Sequence, residues 1–215
     1  MIICRWMSVR DNSYESIIDS LDPDTVARVR NCIKREKANE IAYGRYVLNS
    51  LAGQALGIES SDVNIRYSSK GRPYIDPPVL FLTSSHCDGN CVAVVSDARV
   101  GCDLQSVRRF AGKSVKHFFS EEDYVYIEKS ACPDNTMTRI WCIKEALFKY
   151  LGDDQLDFQI FMRNTAVGNI EAFMREYNIR FYERIIEDML FIIVSENNSS
   201  VDDYVDIRRF MGIDE

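Results

Sequence analysis

Residues 91–105 read CVAVVSDARVGCDLQ and predict two short β-strands joined through Asp97-Ala98-Arg99 as a hairpin. Upstream, the apolar residues of Lys34–Leu56 recur with the helical period, and Gly57 follows as a stop. Downstream, Met137–Leu151 repeats that pattern and is followed by Gly152. Because long helices and mostly antiparallel strands occur twice in this order, we expect an α+β fold.

The remaining predicted elements suggest two similar α+β halves. A helix is predicted at 165–177, and a helix start at Ser120, whose hydroxyl precedes three acidic residues. The predicted strands are Val63–Tyr67, Tyr74–Ile75, Leu80–Thr83, Cys91–Ser96, Val100–Gln105, Leu156–Phe161, Ile179–Phe181 and Met189–Val194. We place the boundary between the halves at 106/107, which gives domains 1–106 and 107–215.

Composition narrows the class of protein. The chain has 215 residues, is 46% hydrophobic and carries a formal net charge of −7. This hydrophobic fraction argues against disorder, and the negative charge argues against nonspecific binding to nucleic acid or to anionic membranes. Apolar runs such as Met189–Val194 are too short to cross a bilayer, and the amino terminus lacks a signal-peptide layout, so we expect a cytoplasmic protein. The seven scattered cysteines are expected to be reduced.

Two segments carry oxygen ligands. On a strand at Val100–Gln105, Asp103 and Gln105 would share a face with Gly101, and their oxygens suit a hard cation such as Mg²⁺. An ordinary polar strand face is the alternative. In the predicted helix Met137–Leu151, Glu145 and Lys149 are one helical turn apart and would form a surface ion pair. The alternative is that Glu145, beside Trp141, is a carboxylate that binds a metal or a proton.

Two further segments carry cationic or hydroxyl groups that suit phosphate. Arg72 lies between Gly71 and Pro73 on a predicted tight turn, and a guanidinium is well suited to forked phosphate recognition. His86 follows small hydroxyl residues that can donate hydrogen bonds to phosphate oxygens. The alternatives are a structural histidine and, for the basic stretch Arg28–Arg45, a solvated helix face.

The order of these motifs is more specific than any one of them. They are Gly71-Arg72-Pro73, Ser84-Ser85-His86, Val100-Gly101-Cys102-Asp103-Leu104, Phe119-Ser120-x-x-Asp123 and Trp141-x-x-Lys144-Glu145-Ala146-x-x-Lys149. The series resembles the 4'-phosphopantetheinyl transferases, in particular the longer, pseudo-dimeric kind that activates carrier proteins of peptide and polyketide synthetases. The resemblance spans roughly residues 28–160.

The resemblance implies a fold and an activity. The fold would be two similar α+β halves with the active site in the cleft between them, in a monomer. The activity would be magnesium-dependent transfer of 4'-phosphopantetheine from coenzyme A to a serine of an acyl, peptidyl or aryl carrier protein, with 3',5'-adenosine bisphosphate released. Mn²⁺ is an alternative metal.

The resemblance also assigns roles to residues of this chain. The implied metal ligands are Asp103, Gln105 and Glu145. The implied catalytic residues are Glu145, Lys144, Lys149 and Asp103. The implied coenzyme A contacts are Arg35, Arg72, Ser85, His86 and Lys149.

The chain departs from the family pattern at several positions. Gln105 stands where the family often has a second acid, Cys87 stands where a serine is commoner, and Glu40 stands where an arginine or lysine is expected. Gln105 offers oxygen without charge, which predicts a lower metal affinity. It also supports a rival hypothesis, a noncatalytic module of the same fold that binds coenzyme A or a carrier protein. Retention of Asp103 and Glu145 favours the enzyme.

Overall fold

The computed structural model describes residues 2–69, 71–77, 79–107, 117–152 and 155–196. The chain divides between Ala98 and Arg99 into two compact units. Among the described residues, no helix combines the length and the apolar character that a bilayer span requires. Five of the seven cysteines are buried, as their expected use as small apolar residues predicts.

The first unit is one long helix on an antiparallel sheet. Its elements are β1 (Ile2–Ser8), α1 (Pro23–Arg30), α2 (Arg35–Leu56), β2 (Arg66–Tyr67), β3 (Pro73–Ile75), β4 (Leu80–Cys87) and β5 (Asn90–Ser96), with short 3-10 turns at Tyr14–Ser16, Ile18–Ser20 and Ser60–Asp62. The strand order is β1-β5-β4-β3-β2, and every neighbouring pair is antiparallel.

Local sequence explains why α2 forms and where it ends. Gly57 adopts the left-handed conformation with φ of 68°, which closes the helix as its position predicts. The apolar stripe that includes Leu48 and Leu51 packs on the inner face of β5, where Ala93 and Val95 are fully buried. This packing places the start of α2 beside the end of β4, where His86 lies.

The second unit repeats the same plan with more helices. Its elements are β6 (Val100–Ser106), α3 (Glu121–Glu128), α4 (Pro133–Leu151), α5 (Phe158–Asn164), α6 (Val167–Glu176), β7 (Ile179–Ile186) and β8 (Met189–Glu196). The strand order is β6-β8-β7, again antiparallel. α4 ends at Gly152 with φ of 65° and packs on β6 and β8 through a core that includes Cys142, Ala146 and Ile192.

Both units share one strand–helix–strand–strand topology, and the predicted α+β class is confirmed. In each, the first strand pairs with the last, the last forms a hairpin with the strand before it, and a long helix covers the sheet. The boundary at 106/107 stays a prediction, although β6 belongs to the sheet of the second unit. Part of the predicted domain 107–215, from residue 197 onward, lies outside the described residues.

Two predicted elements are wrong. β6 does not form a hairpin with β5, because β1 and β4 occupy both edges of β5, and β6 pairs with β8 instead. The strand predicted at Leu156–Phe161 is largely the helix α5. Asp157 begins that helix by accepting a hydrogen bond from the Ile160 amide at 2.9 Å, a capping signal that outweighs the short apolar alternation.

Candidate active site

Gly101 sets the distance between β6 and α4. A Cβ atom at this position would lie 2.0 Å from the carbonyl oxygen of Ala146 and 2.5 Å from the amide nitrogen of Tyr150. Only a residue without a side chain therefore allows the strand to approach the helix backbone this closely. Asp103 lies two residues further on the same face of β6, so its carboxylate is directed toward α4.

Asp103, Glu145 and Lys149 form one cluster, called here the carboxylate–lysine cluster. Lys149 Nζ lies 3.1 Å from Asp103 Oδ1 and 3.2 Å from Glu145 Oε1. The Asp103 side chain is fully buried, whereas Glu145 and Lys149 are 21% and 24% exposed. Asp103 thus forms the buried inner part of the cluster. The two α4 residues, Glu145 and Lys149, form its solvent-accessible side.

Two neutral groups also contact Asp103. Its Oδ2 accepts hydrogen bonds from Gln105 Nε2 at 3.2 Å and from the Cys142 thiol at 3.3 Å. Burial and the nearby Asp103 carboxylate raise the pKa of Cys142 well above its usual value, so the thiol stays protonated. Cys142 is therefore a hydrogen-bond donor to Asp103 rather than a nucleophile.

The two carboxylates govern the charge of Lys149. Burial lowers its pKa, but the charges of Glu145 and Asp103 outweigh that effect, and the pKa is raised above the usual lysine value. Lys149 consequently stays protonated throughout the physiological pH range. A permanently charged ammonium on a partly exposed side chain is suited to contact a phosphate oxygen.

The donor set also fits a magnesium ion. Two carboxylates already converge on one cation, the ammonium of Lys149, and Gln105 adds an amide group beside them. Within the described residues, no group of three or more His, Cys, Asp or Glu side chains is arranged to hold a metal by itself. Mg²⁺ does not need one, because it usually keeps several waters and binds one or two carboxylates together with substrate phosphates.

The structure does not bring Lys144 to this cluster. Its side chain is fully buried, forms an ion pair with Asp123 and donates a hydrogen bond to the Met162 carbonyl at 2.8 Å. Burial lowers the pKa of Lys144, while the contact with Asp123 partly offsets this. Consecutive helix residues point about 100° apart, so Lys144 faces the protein interior while Glu145 does not.

Asp123, which the sequence indicates only as one of the acids at a helix start, also makes long-range contacts. It forms a capping box with Ser120 at the start of α3, and its Oδ1 accepts a hydrogen bond from the amide of Val167 at 2.8 Å. Together with the Lys144 ion pair, these bonds connect α3, α4 and the first residue of α6. The Phe-Ser-x-x-Asp spacing contains this signal, because Ser-x-x-Asp is a capping-box pattern.

Trp141 belongs to the aromatic core rather than to the cluster. Its ring makes an edge contact with Phe118, with centroids 5.2 Å apart, and further contacts with Phe119 and Phe158. Through these aromatic contacts, α4 is packed against its neighbours at a position one helical turn before Glu145. The tryptophan therefore positions the helix that carries the carboxylate.

In the first unit, His86 is joined by two residues of α2. Lys37 Nζ lies 2.9 Å from His86 Nδ1, and Glu40 Oε2 lies 3.4 Å from the same nitrogen. Lys37 Nζ is also 3.4 Å from Glu40 Oε2. We call Lys37, Glu40 and His86 the His86 cluster.

Arg35, Ser85 and Arg72 are the other expected coenzyme A contacts of this unit. Arg35 is 67% exposed and contacts Glu15 at 3.1 Å and Ser13 at 2.7 Å. Ser85 is buried and precedes His86 on β4, so the two side chains point to opposite faces of the sheet. Arg72 lies in the turn between β2 and β3, where its amide donates to the Ser68 hydroxyl.

Comparison with protein families identifies the second unit. Residues 99–188 match the model of the 4'-phosphopantetheinyl transferase superfamily. This region is a member of that superfamily. The matched region begins where the second unit begins and includes Asp103, Glu145 and Lys149. The family resemblance drawn from the motifs is thereby confirmed.

Curated relatives carry the same family name at low identity. The chain is 26% identical over 111 residues to 4'-phosphopantetheinyl transferase gsp of Aneurinibacillus migulanus, an alignment of 51% of this chain and 46% of the relative. It is 27% identical over 154 residues to 4'-phosphopantetheinyl transferase HetI of a Nostoc species, with 66% and 64% covered. A putative 4'-phosphopantetheinyl transferase of Haemophilus influenzae is 26% identical over 153 residues, with 65% and 63% covered. The chain thus spans less than two thirds of the length of each of these relatives.

Within the superfamily region, geometry explains the spacing of two motifs. The glycine of Val-Gly-x-Asp allows the close approach of β6 and α4, and the aspartate then meets Lys149 of Trp-x-x-Lys-Glu-Ala-x-x-Lys. Glu145 and Lys149 are one helical turn apart and therefore contact each other on the same face. The roles that the resemblance assigns to these residues stay predictions.

Proposed function

We propose that the protein is a 4'-phosphopantetheinyl transferase that modifies carrier proteins. The convergence of Asp103 and Glu145 on the ammonium of Lys149 is the single observation that carries this proposal. The superfamily match over residues 99–188 supports it, because that region supplies all three residues.

The proposed reaction is a phosphoryl-type transfer. The hydroxyl oxygen of a carrier-protein serine attacks the phosphorus that bears the pantetheine arm of coenzyme A, and the new oxygen–phosphorus bond replaces the bond to the second phosphate of the diphosphate. The serine proton goes to a base, and 3',5'-adenosine bisphosphate leaves with the bonding electrons. No covalent enzyme intermediate is needed.

Each member of the carboxylate–lysine cluster has a proposed part. Asp103, Glu145 and Gln105 would hold Mg²⁺, which when bound neutralises negative charge on the diphosphate. Lys149, protonated and partly exposed, contacts a phosphate oxygen and stabilises charge that develops on it. Glu145, also partly exposed, accepts the serine proton directly or through one water.

Lys144 has a positioning role in this proposal. Its buried ion pair with Asp123 orients α4, and the next residue on that helix is Glu145. The direct catalytic role that the resemblance implies for Lys144 is not supported by the full burial of its side chain. Placement of the active site in a cleft between two pseudo-dimeric halves stays a prediction.

The proposed setting follows from composition and from the family. The proposed partners are coenzyme A and an acyl, peptidyl or aryl carrier protein. The proposed enzyme is a cytoplasmic monomer. The net charge of −7 supports the absence of nucleic-acid and membrane partners from the proposal.

A mass measurement tests the activity. The protein is incubated with coenzyme A, Mg²⁺ and each of several apo carrier proteins, and intact-mass spectrometry follows the carrier. We expect a gain equal to one phosphopantetheinyl group, lost when the carrier serine is changed to alanine. In the enzyme, Glu145→Gln should lower kcat at least about 100-fold, as removal of a general base does. Glu128→Gln, a change of an exposed acid on α3, is the matched control.

A noncatalytic binding module of the same fold is the second candidate, and Gln105 is the residue that favours it. The amide of Gln105 replaces a charged ligand and donates a hydrogen bond to Asp103. This candidate predicts that the protein binds coenzyme A in a calorimeter but modifies none of the carriers. A known transferase assayed with the same carriers serves as the positive control.

A further inference from the structure

We propose that Cys142 is a positioning residue: together with Gln105 it occupies one oxygen of the Asp103 carboxylate, so that this aspartate offers a metal a single oxygen and the site selects Mg²⁺ over Ca²⁺. That a metal binds here rests on the proposed function. The hold on Asp103 rests on the contacts of the second unit alone. The family resemblance assigns no role to Cys142.

The two oxygens of the Asp103 carboxylate have different partners. Oδ2 accepts hydrogen bonds from Gln105 Nε2 at 3.2 Å and from Cys142 Sγ at 3.3 Å. Oδ1 lies 3.1 Å from Lys149 Nζ. A carboxylate oxygen has two lone-pair sites, and the two neutral donors use both of those on Oδ2. Oδ1, which already contacts a cation, is therefore the oxygen that Asp103 presents to a metal.

The surroundings of Cys142 make its thiol a donor. The side chain is fully buried, and its Sγ lies 3.3 Å from the Asp103 carboxylate and 3.6 Å from the Leu190 carbonyl oxygen. Both of these neighbours are acceptors, so a thiolate would be repelled by each of them. Because an ionised carboxylate is the stronger acceptor, the single S–H bond is directed to Asp103.

The two donors reach Asp103 from different elements. Gln105 lies two residues further along β6 and therefore shares a strand face with Asp103. Cys142 lies on α4, three residues before Glu145, and thus on the same side of that helix as Glu145. The close approach of β6 to α4 at Gly101 brings the thiol to the strand. Because one donor belongs to the sheet and the other to the helix, they fix the orientation of the carboxylate between them.

A single available oxygen has different consequences for the two metals. Ca²⁺ takes about six to eight oxygen ligands and accepts both oxygens of one carboxylate, whereas Mg²⁺ requires near-octahedral geometry and keeps several waters. With Oδ2 of Asp103 occupied, Ca²⁺ loses a ligand that it would otherwise use, and Mg²⁺ does not. The two neutral donors therefore lower the affinity for Ca²⁺ more than the affinity for Mg²⁺.

Calorimetry with each metal tests this selectivity. Mg²⁺ and Ca²⁺ are titrated separately into the protein, without and with coenzyme A, and no carrier protein is present, so nothing turns over. In Cys142→Ala, Oδ2 of Asp103 loses a donor and becomes available, so the ratio of the Ca²⁺ Kd to the Mg²⁺ Kd should fall about tenfold. Cys142→Ser supplies a hydroxyl donor and should restore most of the ratio. Cys4→Ala, which removes a buried thiol from the first unit, is the matched control and should leave the ratio unchanged.

Infrared spectroscopy tests the hydrogen bond even if the alanine variant does not fold. The difference between the spectra of the wild type and Cys142→Ser isolates the S–H stretching band of Cys142. Donation to a carboxylate should place this band at a lower frequency than the bands of the other thiols. Asp103→Asn should raise the frequency, because a neutral amide oxygen is a weaker acceptor than a carboxylate.

The inference is overturned if Cys142→Ala keeps the wild-type ratio of Kd values, if Cys142→Ser behaves as Cys142→Ala does, or if Asp103→Asn leaves the S–H band in place. It is also overturned if the wild type binds neither metal under either condition. A wild type that prefers Mg²⁺ through Cys142 but transfers nothing refutes the proposed function and supports the inference. Conversely, transfer by a protein whose metal selectivity does not depend on Cys142 supports the proposed function and overturns the inference.

Discussion

Replacing Gly101 by alanine tests whether the approach of β6 to α4 creates the site. The added Cβ would lie 2.0 Å from the Ala146 oxygen, 2.5 Å from the Tyr150 nitrogen and 3.0 Å from the Tyr150 Cα. All three are backbone atoms, so no side-chain rotation relieves the clash. Because contacts under 3.0 Å are essentially never seen for a Cβ atom, the strand and the helix must separate by about 1 Å.

Overpacking sets the expected loss in the free energy of unfolding, and misplacement of the cluster residues sets the expected loss in rate. Forcing one methyl into a packed core costs about 1–3 kcal/mol, and we expect about 3 kcal/mol because backbone must move. The separation also increases the distance between Asp103 on β6 and Glu145 and Lys149 on α4. A displacement of about 1 Å at a reacting centre lowers the rate by about 100-fold.

Two assays and one control variant check this reasoning. Urea unfolding measures the free energy of unfolding, and the carrier-modification assay measures kcat at saturating coenzyme A and Mg²⁺. Gly168→Ala is the control, because a Cβ there meets its nearest atom, Glu122 Oε2, at 3.8 Å, and alanine favours the helix. If Gly101→Ala unfolds within about 0.5 kcal/mol of the wild type, the inferred close packing of β6 on α4 is refuted.

Two further variants probe the neighbours of the cluster. Gln105→Glu adds a third carboxylate to the two of Asp103 and Glu145, so the Mg²⁺ concentration for half-maximal rate should fall about tenfold. The melting temperature should drop without Mg²⁺ and recover with it. An unchanged Mg²⁺ requirement would show that Gln105 does not face the metal. Lys144→Met leaves the Asp123 carboxylate buried without its charge partner and should cost about 3–5 kcal/mol in urea unfolding, whereas a loss below about 1 kcal/mol would contradict the structural role of the pair.

Local signals in the sequence were sufficient for several elements. Gly57 and Gly152 end α2 and α4 as predicted, because a residue after a helix that must adopt positive φ favours glycine. Ser120 caps α3, as its position before three acids indicates. The contact between Glu145 and Lys149 also follows from their spacing of one helical turn.

The pairing of the strands could not be predicted from the sequence as well as the helices could. The segments at β5 and β6 both have the composition of strands, but composition does not state which edges are paired. β1, at the start of the chain, takes the edge of β5 that the hairpin prediction assigned to β6. The helix at α5 was missed for a related reason, because a short apolar run is compatible with either structure and only the cap at Asp157 decides.

By itself, the sequence determined the α+β class, the C-terminal ends of the two long helices and the family resemblance that the match over residues 99–188 confirms. These features follow from periodicity, caps and motif spacing, which act over a few residues or along one segment. Tertiary structure alone decided that Asp103 meets Lys149, that Lys144 is buried on Asp123, and that Lys37 rather than Arg35 lies at His86. These contacts join residues 21 to 49 positions apart. They depend on which strand edges pair and how closely a helix packs on a sheet, and those outcomes are set by burial of the whole core.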